Sequence, residues 1–172
     1  NYYGLTKKIC EKLINKELSK IKNTKYIIYR FFTVYGYLGR PDMLITGYRF
    51  RKKNSILNLY NYGNYERDFT YVEDIVKILH KSINNLKANN QIINICSGTP
   101  VKIKTLVNKL DKMFKKNTKK ILKPPRKGEM IKTHGNSNKL KKIFKIKNFT
   151  KISKGINKFY NLEKKFLNTW IH

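Results

Sequence analysis

The sequence has little cysteine, alanine, arginine or acidic character. Of 172 residues, one is Ala, six are Arg, ten are acidic and two, Cys10 and Cys96, are cysteine. Two cysteines this far apart provide neither a disulfide framework nor the ligand spacing of a zinc site. We therefore predict two ordinary buried thiols, no metal site, and a reducing compartment, which places the protein in the cytoplasm.

Long hydrophobic runs are also missing. No apolar stretch approaches the roughly 20 residues that a membrane span needs. The start, Asn1-Tyr2-Tyr3-Gly4, has neither the charged nor the apolar region of a signal peptide and does not begin with Met. We therefore expect that the protein does not contact a membrane. We also expect that the sequence is a fragment of a longer protein. Hydrophobic residues make up 40% of the chain, which is enough to build a core without disulfide bonds or a structural metal.

Positive charge is plentiful, with 39 basic residues and a formal net charge of +29. Clustered cations of this kind can neutralise nucleic-acid phosphates. However, 33 of the cations are lysines spread from Lys7 to Lys165, and they occur beside 20 Asn and 21 Ile, as A/T-rich codons would produce. Proteins that read nucleic acids favour Arg, which binds bases and phosphates through two parallel hydrogen bonds. A basic nucleic-acid-binding domain is therefore the less favoured of the alternatives.

Hydrophobic periodicity alternates between the helical and extended repeats, which predicts an α/β fold. We expect helices from Tyr3 to about Lys20, Met43 to Lys53, Glu73 to about Leu86, Ile103 to Phe114, Asn138 to Phe144 and Ser153 to about Trp170. We expect strands at residues 25–31, 56–60, 68–72 and 92–96, with a loop at 33–42 and a turn at 61–64.

Tyr3 and Lys7 form a Tyr-x-x-x-Lys pattern near the start of the first predicted helix. Four residues apart on a helix, their side chains share one face. An ammonium beside a phenol favours the phenolate and so makes the tyrosine a usable general base. The pair is weak evidence by itself, because both residue types are abundant here.

Two longer motifs follow it in order. Residues 30–43 read Arg-Phe-Phe-Thr-Val-Tyr-Gly-Tyr-Leu-Gly-Arg-Pro-Asp-Met, and residues 67–76 read Arg-Asp-Phe-Thr-Tyr-Val-Glu-Asp-Ile-Val. With Tyr-x-x-x-Lys, they resemble the extended short-chain dehydrogenase/reductase family and its NAD-dependent nucleotide-sugar epimerases and dehydratases. The run from Thr33 to Met43 is most similar to the epimerases that act on UDP-glucuronate. Shorter similarities occur at 94–100, 126–129 and 150–156.

The resemblance implies the C-terminal part of a Rossmann-type fold together with a small α/β substrate-binding subdomain. Residues 1–35 would end the NAD-binding domain, and residues 36–172 would be mostly the nucleotide-sugar-binding subdomain, with some returning Rossmann-type elements. NAD would be the cofactor and a UDP-sugar the substrate. The helix that starts at Tyr3 matches a dimerisation helix, which implies a homodimer.

The resemblance also implies roles for individual residues. Tyr3 would be the catalytic base, and Lys7 its partner and a contact to the nicotinamide ribose. The sugar would be oxidised at C4, pass through a 4-keto intermediate and be reduced from the other face, as in conversion of UDP-glucuronate to UDP-galacturonate. Thr33 and Arg40 would hold the sugar carboxylate, and Tyr60 would pack against the uracil. Arg67 and Arg126 would bind the diphosphate, and Glu129 would contact the nucleotide ribose.

The sequence differs from the family pattern in one respect that bears on its activity. The Gly-rich dinucleotide fingerprint of a strand-turn-helix is absent from the 172 residues. We therefore expect this chain alone to be inactive as an epimerase. A fragment that binds a nucleotide sugar without turnover is the main alternative.

Several motif residues also have purely structural interpretations. Asp68 and Asp74 are candidates to cap the helix near Glu73, which we favour for Asp74. Other structural interpretations are core positions for Phe69 and Tyr71, a strand-end role for Arg30, exposed aromatics at Tyr62 and Tyr65, and ordinary histidines at His80, His134 and His172.

Overall fold

The computed structural model describes residues 2–169. The strands in this range are β1 (Ile27–Phe31), β2 (Thr33–Tyr35), β3 (Ile56–Leu59), β4 (Glu66–Tyr71), β5 (Gln91–Ile95), β6 (Pro100–Lys102) and β7 (Lys119–Leu122). The helices are α1 (Tyr2–Leu18), α2 (Leu44–Phe50), α3 (Val72–Ser82), α4 (Ile103–Phe114), α5 (Asn138–Phe144) and α6 (Ile152–Thr169). Short 3₁₀ segments lie at Tyr60–Gly63 and Leu86–Ala88. This mixture confirms the predicted α/β class.

Strands β1 and β5 form a parallel pair, from Ile27 opposite Gln91 to Phe31 opposite Ile95. Both strands are rich in isoleucine, a residue that suits strands because its branched side chain packs well on a pleated surface. One hydrophobic cluster joins β5 to α3, α5 and the segment before β5, and its buried members are Ile75, Ile78, Ala88, Ile93, Ile95, Leu140 and Phe144.

A second sheet has the order β2-β4-β6. Strand β4 pairs in parallel with β2, with Thr33 opposite Phe69, and antiparallel with β6, with Arg67 opposite Val101. Its inner face supports the larger hydrophobic cluster, which includes Tyr35, Ile45, Tyr48, Leu59, Phe69, Tyr71, Leu106, Val107, Leu110, Ile156 and Phe159. Phe69 and Tyr71 are therefore core residues, as predicted.

The third pair, β3 and β7, is parallel, with Ile56 opposite Lys119 and Leu59 opposite Leu122. Below it, the carboxylate of buried Asp111 accepts hydrogen bonds from the Tyr48 hydroxyl at 2.7 Å and from the Thr118 amide at 3.0 Å, and Lys120 pairs with it. Burial raises the pKa of Asp111, but these donors outweigh burial and hold the pKa at about 2. The network ties α2, α4 and β7 together.

The predicted boundaries were wrong at several ends. The helix expected to reach Lys53 ends at Phe50, because Arg51 has extended backbone angles. The helix expected to reach Leu86 ends at Ser82, and the Asn85 side chain beyond it accepts the Lys87 amide in a local turn. The last helix runs to Thr169 in the described part, and Trp170, like His172, lies outside the described residues.

The capping interpretation of the two aspartates was also wrong. Residue Tyr71 holds the N-cap position of α3, with no side-chain cap. The Asp74 carboxylate instead accepts hydrogen bonds from the backbone amide and hydroxyl of Thr150, at 2.7 and 2.9 Å. Asp68 lies completely buried elsewhere, as described below.

Both cysteines were predicted to be buried, and the prediction is wrong for Cys10 and correct for Cys96. Cys10 is exposed, because α1 buries none of its residues against the rest of the described chain. Cys96 is buried as expected, and burial raises its pKa to about 11. The predicted division at residues 35 and 36 falls at the end of β2 and stays a prediction.

Candidate functional site

A cleft of about 610 Å³ opens between the start of α2, strand β3 and the turn at residues 126–129. We call it the arginine cleft. Its lining consists of Pro41, Asp42, Met43, Leu44, Gly47, Arg51, Leu57, Asn58, Leu59, Tyr60, Tyr65, Arg67, Ile103, Arg126 and Glu129. Four residues predicted from the sequence, Tyr60, Arg67, Arg126 and Glu129, are thus brought together although they span 70 positions.

Arg67 is held in place by the backbone around it. Its Nη1 donates to the carbonyl oxygens of Glu66 and Ile131, at 2.9 and 3.4 Å, and its Nη2 donates to Glu129 Oε1 at 3.0 Å. The side chain is 17% exposed, and its guanidinium carbon lies 5.1 Å from the Tyr65 ring centroid. A guanidinium fixed in this way presents a defined edge to an anion in the cleft.

Arg126 lies over the Tyr60 ring in the same cleft. Its guanidinium carbon is 3.6 Å from the centroid of the Tyr60 ring, and its backbone amide donates to the Tyr65 hydroxyl at 2.9 Å. Tyr65 was predicted to be an exposed aromatic, which is wrong: it is 4% exposed, because its hydroxyl anchors this turn. Tyr62 is 52% exposed, as predicted.

Thr33 lines an adjoining cavity of about 230 Å³. The two cavities share the residues Met43, Leu44, Arg67 and Ile103. Thr33 reaches this position because β2 pairs with β4 and so places it beside Phe69, two residues after Arg67. The predicted threonine therefore lies next to the arginine cleft.

Arg40 is not among the residues that line either cavity, although its neighbours Pro41 and Asp42 line the arginine cleft. It forms a two-pronged ion pair with Asp42, with Nε–Oδ1 at 3.0 Å and Nη2–Oδ2 at 2.5 Å, and its side chain is 77% exposed. The hydrogen bond from Arg40 lowers the pKa of Asp42. Asp42 thus lines the arginine cleft, whereas its partner Arg40 does not.

Tyr3 and Lys7 line a separate opening of about 810 Å³ between α1 and β1, here called the tyrosine cleft. The Lys7 ammonium lies 5.6 Å from the centroid of the Tyr3 ring, which confirms that the two side chains share one face of α1. Arg30 lies one residue before the end of β1, where it was predicted, and it also pairs with Glu11 of α1 at 2.5 Å, which connects the helix to β1. The tyrosine cleft shares no lining residue with the arginine cleft.

Sequence reasoning missed the role of Asp68. Its carboxylate accepts hydrogen bonds from the Ser97 amide and hydroxyl, at 3.0 and 2.6 Å, and from the amides of Gly98 and Gly135, at 3.0 and 3.2 Å. These bonds fix the loop before β6 beside Arg67 on β4. No pattern in the sequence separates Asp68 from Glu66 on the same strand; only its complete burial in the fold shows that its charge needs several donors.

Between residues 2 and 169, the structure holds no group of three or more His, Cys, Asp or Glu side chains suited to a metal ion. In the same range, no helix is long and apolar enough to cross a membrane. The Nε2 atom of His134 lies 3.2 Å from the Gly98 carbonyl oxygen, an ordinary structural contact for a histidine.

Comparison with known proteins relates this architecture to sugar-nucleotide enzymes. The chain is 35% identical over 140 residues to an uncharacterised protein of Methanocaldococcus jannaschii, covering 80% of this chain and 42% of that protein. It is 31% identical over 178 residues to UDP-glucuronate 4-epimerase 2 of Arabidopsis thaliana, covering 91% of this chain and 40% of that enzyme. The chain thus spans about half the length of these relatives or somewhat less.

Solved structures share the fold. A UDP-glucose 4-epimerase of Thermotoga maritima with UDP-glucose superposes with a TM-score of 0.84 at 22% identity, covering 96% of this chain and 54% of that one. The UDP-glucuronic acid 4-epimerase of Bacillus cereus, in complex with UDP-glucuronic acid and NAD, superposes with a TM-score of 0.77 at 24% identity, covering 90% of this chain and 50% of that one. These likenesses confirm the predicted extended short-chain dehydrogenase/reductase fold.

The profile of the NAD dependent epimerase/dehydratase family matches residues 1–96, more than half of the chain. That range contains the Tyr-x-x-x-Lys helix and both long motifs found in the sequence. The chain therefore belongs to the NAD dependent epimerase/dehydratase family.

Proposed function

We propose that this chain provides the sugar-nucleotide site and the Tyr-Lys pair of an enzyme that inverts C4 of a UDP-sugar, converting UDP-glucuronate to UDP-galacturonate. The observation that carries the proposal is the convergence of Tyr60, Arg67, Arg126 and Glu129 on one cleft, with Thr33 in the cavity beside it. The Arabidopsis relative, named as a UDP-glucuronate 4-epimerase, supports the choice of sugar.

The cleft suits a nucleoside diphosphate because it combines cations with an aromatic face. Arg67 and Arg126 supply two guanidinium groups for the diphosphate, and charge-assisted hydrogen bonds of this type are the strong ones. The Tyr60 ring offers a surface for the uracil. Thr33, through its hydroxyl, and Arg40, if it leaves Asp42, would hold the sugar carboxylate.

The tyrosine cleft suits NAD by its donors and its size. Tyr3 and Lys7 present a hydroxyl and an ammonium on one helix face, beside an opening of about 810 Å³. Lys7 would donate to the hydroxyls of the nicotinamide ribose, and Tyr3 would take the proton of the sugar O4 and later return it. NAD, when bound, supplies the acceptor and donor of hydride at C4.

The separation of the two clefts favours a second candidate function, in which the chain binds a nucleotide sugar but does not convert it. Tyr3 and Arg67 line different openings, and the 172 residues lack the Gly-rich dinucleotide fingerprint. Under this candidate, UDP-glucuronate binds through the arginine cleft and the chain by itself makes no UDP-galacturonate, even with NAD present.

A homodimer through α1 is also part of the proposal. Leu5, Ile9 and Leu13 recur every fourth residue along α1 and are each about half exposed, at 54, 47 and 53%. An apolar stripe at this spacing is the pattern that helices bury against one another. A sedimentation measurement that found only monomers at high protein concentration would exclude this part.

The experiment is a calorimetric titration of the chain with UDP-glucuronate, paired with an assay for UDP-galacturonate in the presence of NAD. We expect Arg67→Ala to weaken binding by roughly ten- to a hundredfold, since it removes charge-assisted hydrogen bonds. Lys116→Ala, which removes a cation outside both clefts, is the matched control. Equal losses from both variants would mean that diffuse positive charge, and not the cleft, binds the ligand.

A further inference from the structure

The arginines of this chain differ in whether they have a carboxylate partner. The structure describes all six, and four form ion pairs: Arg30 with Glu11, Arg40 with Asp42, Arg49 with Glu163, and Arg67 with Glu129. Arg51 and Arg126 form no ion pair with any described residue, and both line the arginine cleft. Arg126 already has a role in the proposed site, whereas the sequence assigned none to Arg51.

Arg51 follows the last residue of α2, and its contacts leave one terminal nitrogen without an acceptor. Its Nη1 donates to the carbonyl oxygen of Ile56 at 3.0 Å, and its guanidinium carbon lies 5.7 Å from the centroid of the Tyr48 ring. Its Nε is buried, so a ligand can meet the guanidinium only through the terminal nitrogens. Of these, Nη2 has no acceptor among the described residues.

The Tyr48 ring beside Arg51 is itself fixed. It is 1% exposed, and its hydroxyl donates to the Asp111 carboxylate at 2.7 Å. A guanidinium held between this ring and a backbone carbonyl presents its free edge in a defined direction. Arg51 can therefore act on a ligand through geometry as well as through charge.

Arg51 lines the part of the arginine cleft that does not border the Thr33 cavity. Four other residues border both openings: Met43, Leu44, Arg67 and Ile103. Arg51 and Tyr60 border only the arginine cleft, and both adjoin β3, since Arg51 donates to its first residue, Ile56, and Tyr60 follows its last. In the proposed site Thr33 holds the sugar and Arg67 the diphosphate, which leaves this end of the cleft for the base.

The base would meet Arg51 with the edge that distinguishes one pyrimidine from another. The ribose is attached to N1 of a pyrimidine, and C4 lies directly across the ring, so the group on C4 points away from the diphosphate. Uracil has a carbonyl oxygen there, which accepts a hydrogen bond, and cytosine has an amino group, which donates. A guanidinium only donates. It therefore pairs with uracil, whereas beside cytosine two donors oppose each other and both stay unpaired.

We propose that Arg51 is a specificity-determining residue of the arginine cleft, which selects a pyrimidine with an oxygen on C4 and rejects one with an amino group there. The ligand class is thus a nucleoside diphosphate sugar of uracil and not of cytosine. This inference rests on the proposed nucleotide-sugar site and adds to it the side chain that reads the base.

The test compares UDP with CDP as ligands of the full chain and of Arg51→Gln, by calorimetry at fixed ionic strength. The two ligands carry the same diphosphate, so the effect of diffuse positive charge cancels in the ratio of their affinities. The glutamine amide can donate to uracil or accept from cytosine. We therefore expect the preference for UDP over CDP to fall about five- to tenfold. Arg51→Met, which removes every donor of the side chain, should lower the preference as well.

Lys52→Gln is the matched control. It removes the same charge from the next residue, which is exposed and does not line the cleft. This variant should leave the preference for UDP over CDP unchanged. Circular dichroism of each variant checks that the fold is kept.

The outcomes separate this inference from the proposed function. Suppose that the unmodified chain binds UDP and that Arg67→Ala weakens the binding. If UDP and CDP then bind equally well, or if the preference for UDP survives in Arg51→Gln and Arg51→Met, Arg51 does not read the base and the site stands. An equal fall in preference with Lys52→Gln would also overturn the inference. If the unmodified chain does not bind UDP, the proposed site and the role of Arg51 fall together.

Discussion

The guanidinium of Arg126 covers one face of the Tyr60 ring, with 3.6 Å between its central carbon and the ring centroid. The two residues come from distant parts of the chain and are in contact where both line the arginine cleft. A cation over an aromatic face is attracted by the ring quadrupole. The ring therefore positions a cation for the diphosphate as well as offering a surface for a base.

Tyr60→Leu should weaken UDP binding by about tenfold, since stacking and cation–π contributions are each worth about 1–2 kcal/mol. Tyr60→Phe keeps the ring face and should restore most of the affinity. Tyr62→Leu, at an exposed position two residues away, is the control. Calorimetry measures all three, and a loss with Tyr60→Phe as large as that with leucine would argue against the ring face.

Arg40→Ala should weaken binding of UDP-glucuronate more than it weakens binding of UDP-glucose, because only the first sugar carries a carboxylate. In the present structure Arg40 pairs with Asp42 and lines neither cavity, so the ligand must draw it inward. Lys116→Ala should affect neither ligand. Equal effects of Arg40→Ala on both sugars would remove Arg40 from the carboxylate site.

Four residues that line the arginine cleft could be singled out from the sequence, because they lie in segments that resemble the family. Arg67 could be assigned from the Arg-Asp-Phe run, and the structure places it in a cleft with Tyr60, Arg126 and Glu129. Asp68, in the same run, could not be assigned, because its donors are backbone amides of Ser97, Gly98 and Gly135 that only the folded chain brings together.

The strands missed by sequence analysis lack an alternating pattern for two different reasons. The three-residue strands β2 and β6, at Thr33–Tyr35 and Pro100–Lys102, are too short to show an alternating pattern. Strand β7 begins with two lysines, Lys119 and Lys120, which hide its extended character. The contacts that hold β7 involve other elements: Lys120 pairs with Asp111 of α4, and Thr118, just before the strand, donates to the same carboxylate.

Asp68→Asn should lower the free energy of unfolding by about 1–3 kcal/mol, because an amide cannot accept from all four donors that the buried carboxylate serves. Asp42→Asn, at an exposed position, should cost little. Urea unfolding followed by circular dichroism measures both. Similar losses from the two substitutions would contradict this account of the loop before β6.

Acid should destabilise the protein through Asp111. Its pKa is about 2 in the folded state against an ordinary value of 3.8, so its contribution is present above the ordinary value and is lost as the pH falls from about 4 to about 2. The expected loss is about 2 kcal/mol. Asp111→Asn should flatten the dependence in this range, whereas Glu17→Gln, on the exposed face of α1, should not. If Asp111→Asn left the dependence of stability on pH unchanged, this role of Asp111 would be refuted.

Gly155→Ala should destabilise the core by about 1–3 kcal/mol, because a methyl group there would collide with the hydroxyl of Tyr35. Tyr35 is 3% exposed and is packed at 5.4 Å between ring centroids against Tyr71, so it has no room to retreat. Gly4→Ala is the matched substitution in a helix, where a methyl group meets nothing within 4 Å. Helix propensity alone should make Gly4→Ala neutral or stabilising by up to about 1 kcal/mol. The midpoint of thermal unfolding should therefore fall for Gly155→Ala and stay the same or rise for Gly4→Ala. An unchanged midpoint for Gly155→Ala would show that Tyr35 and α6 can separate at little cost in free energy.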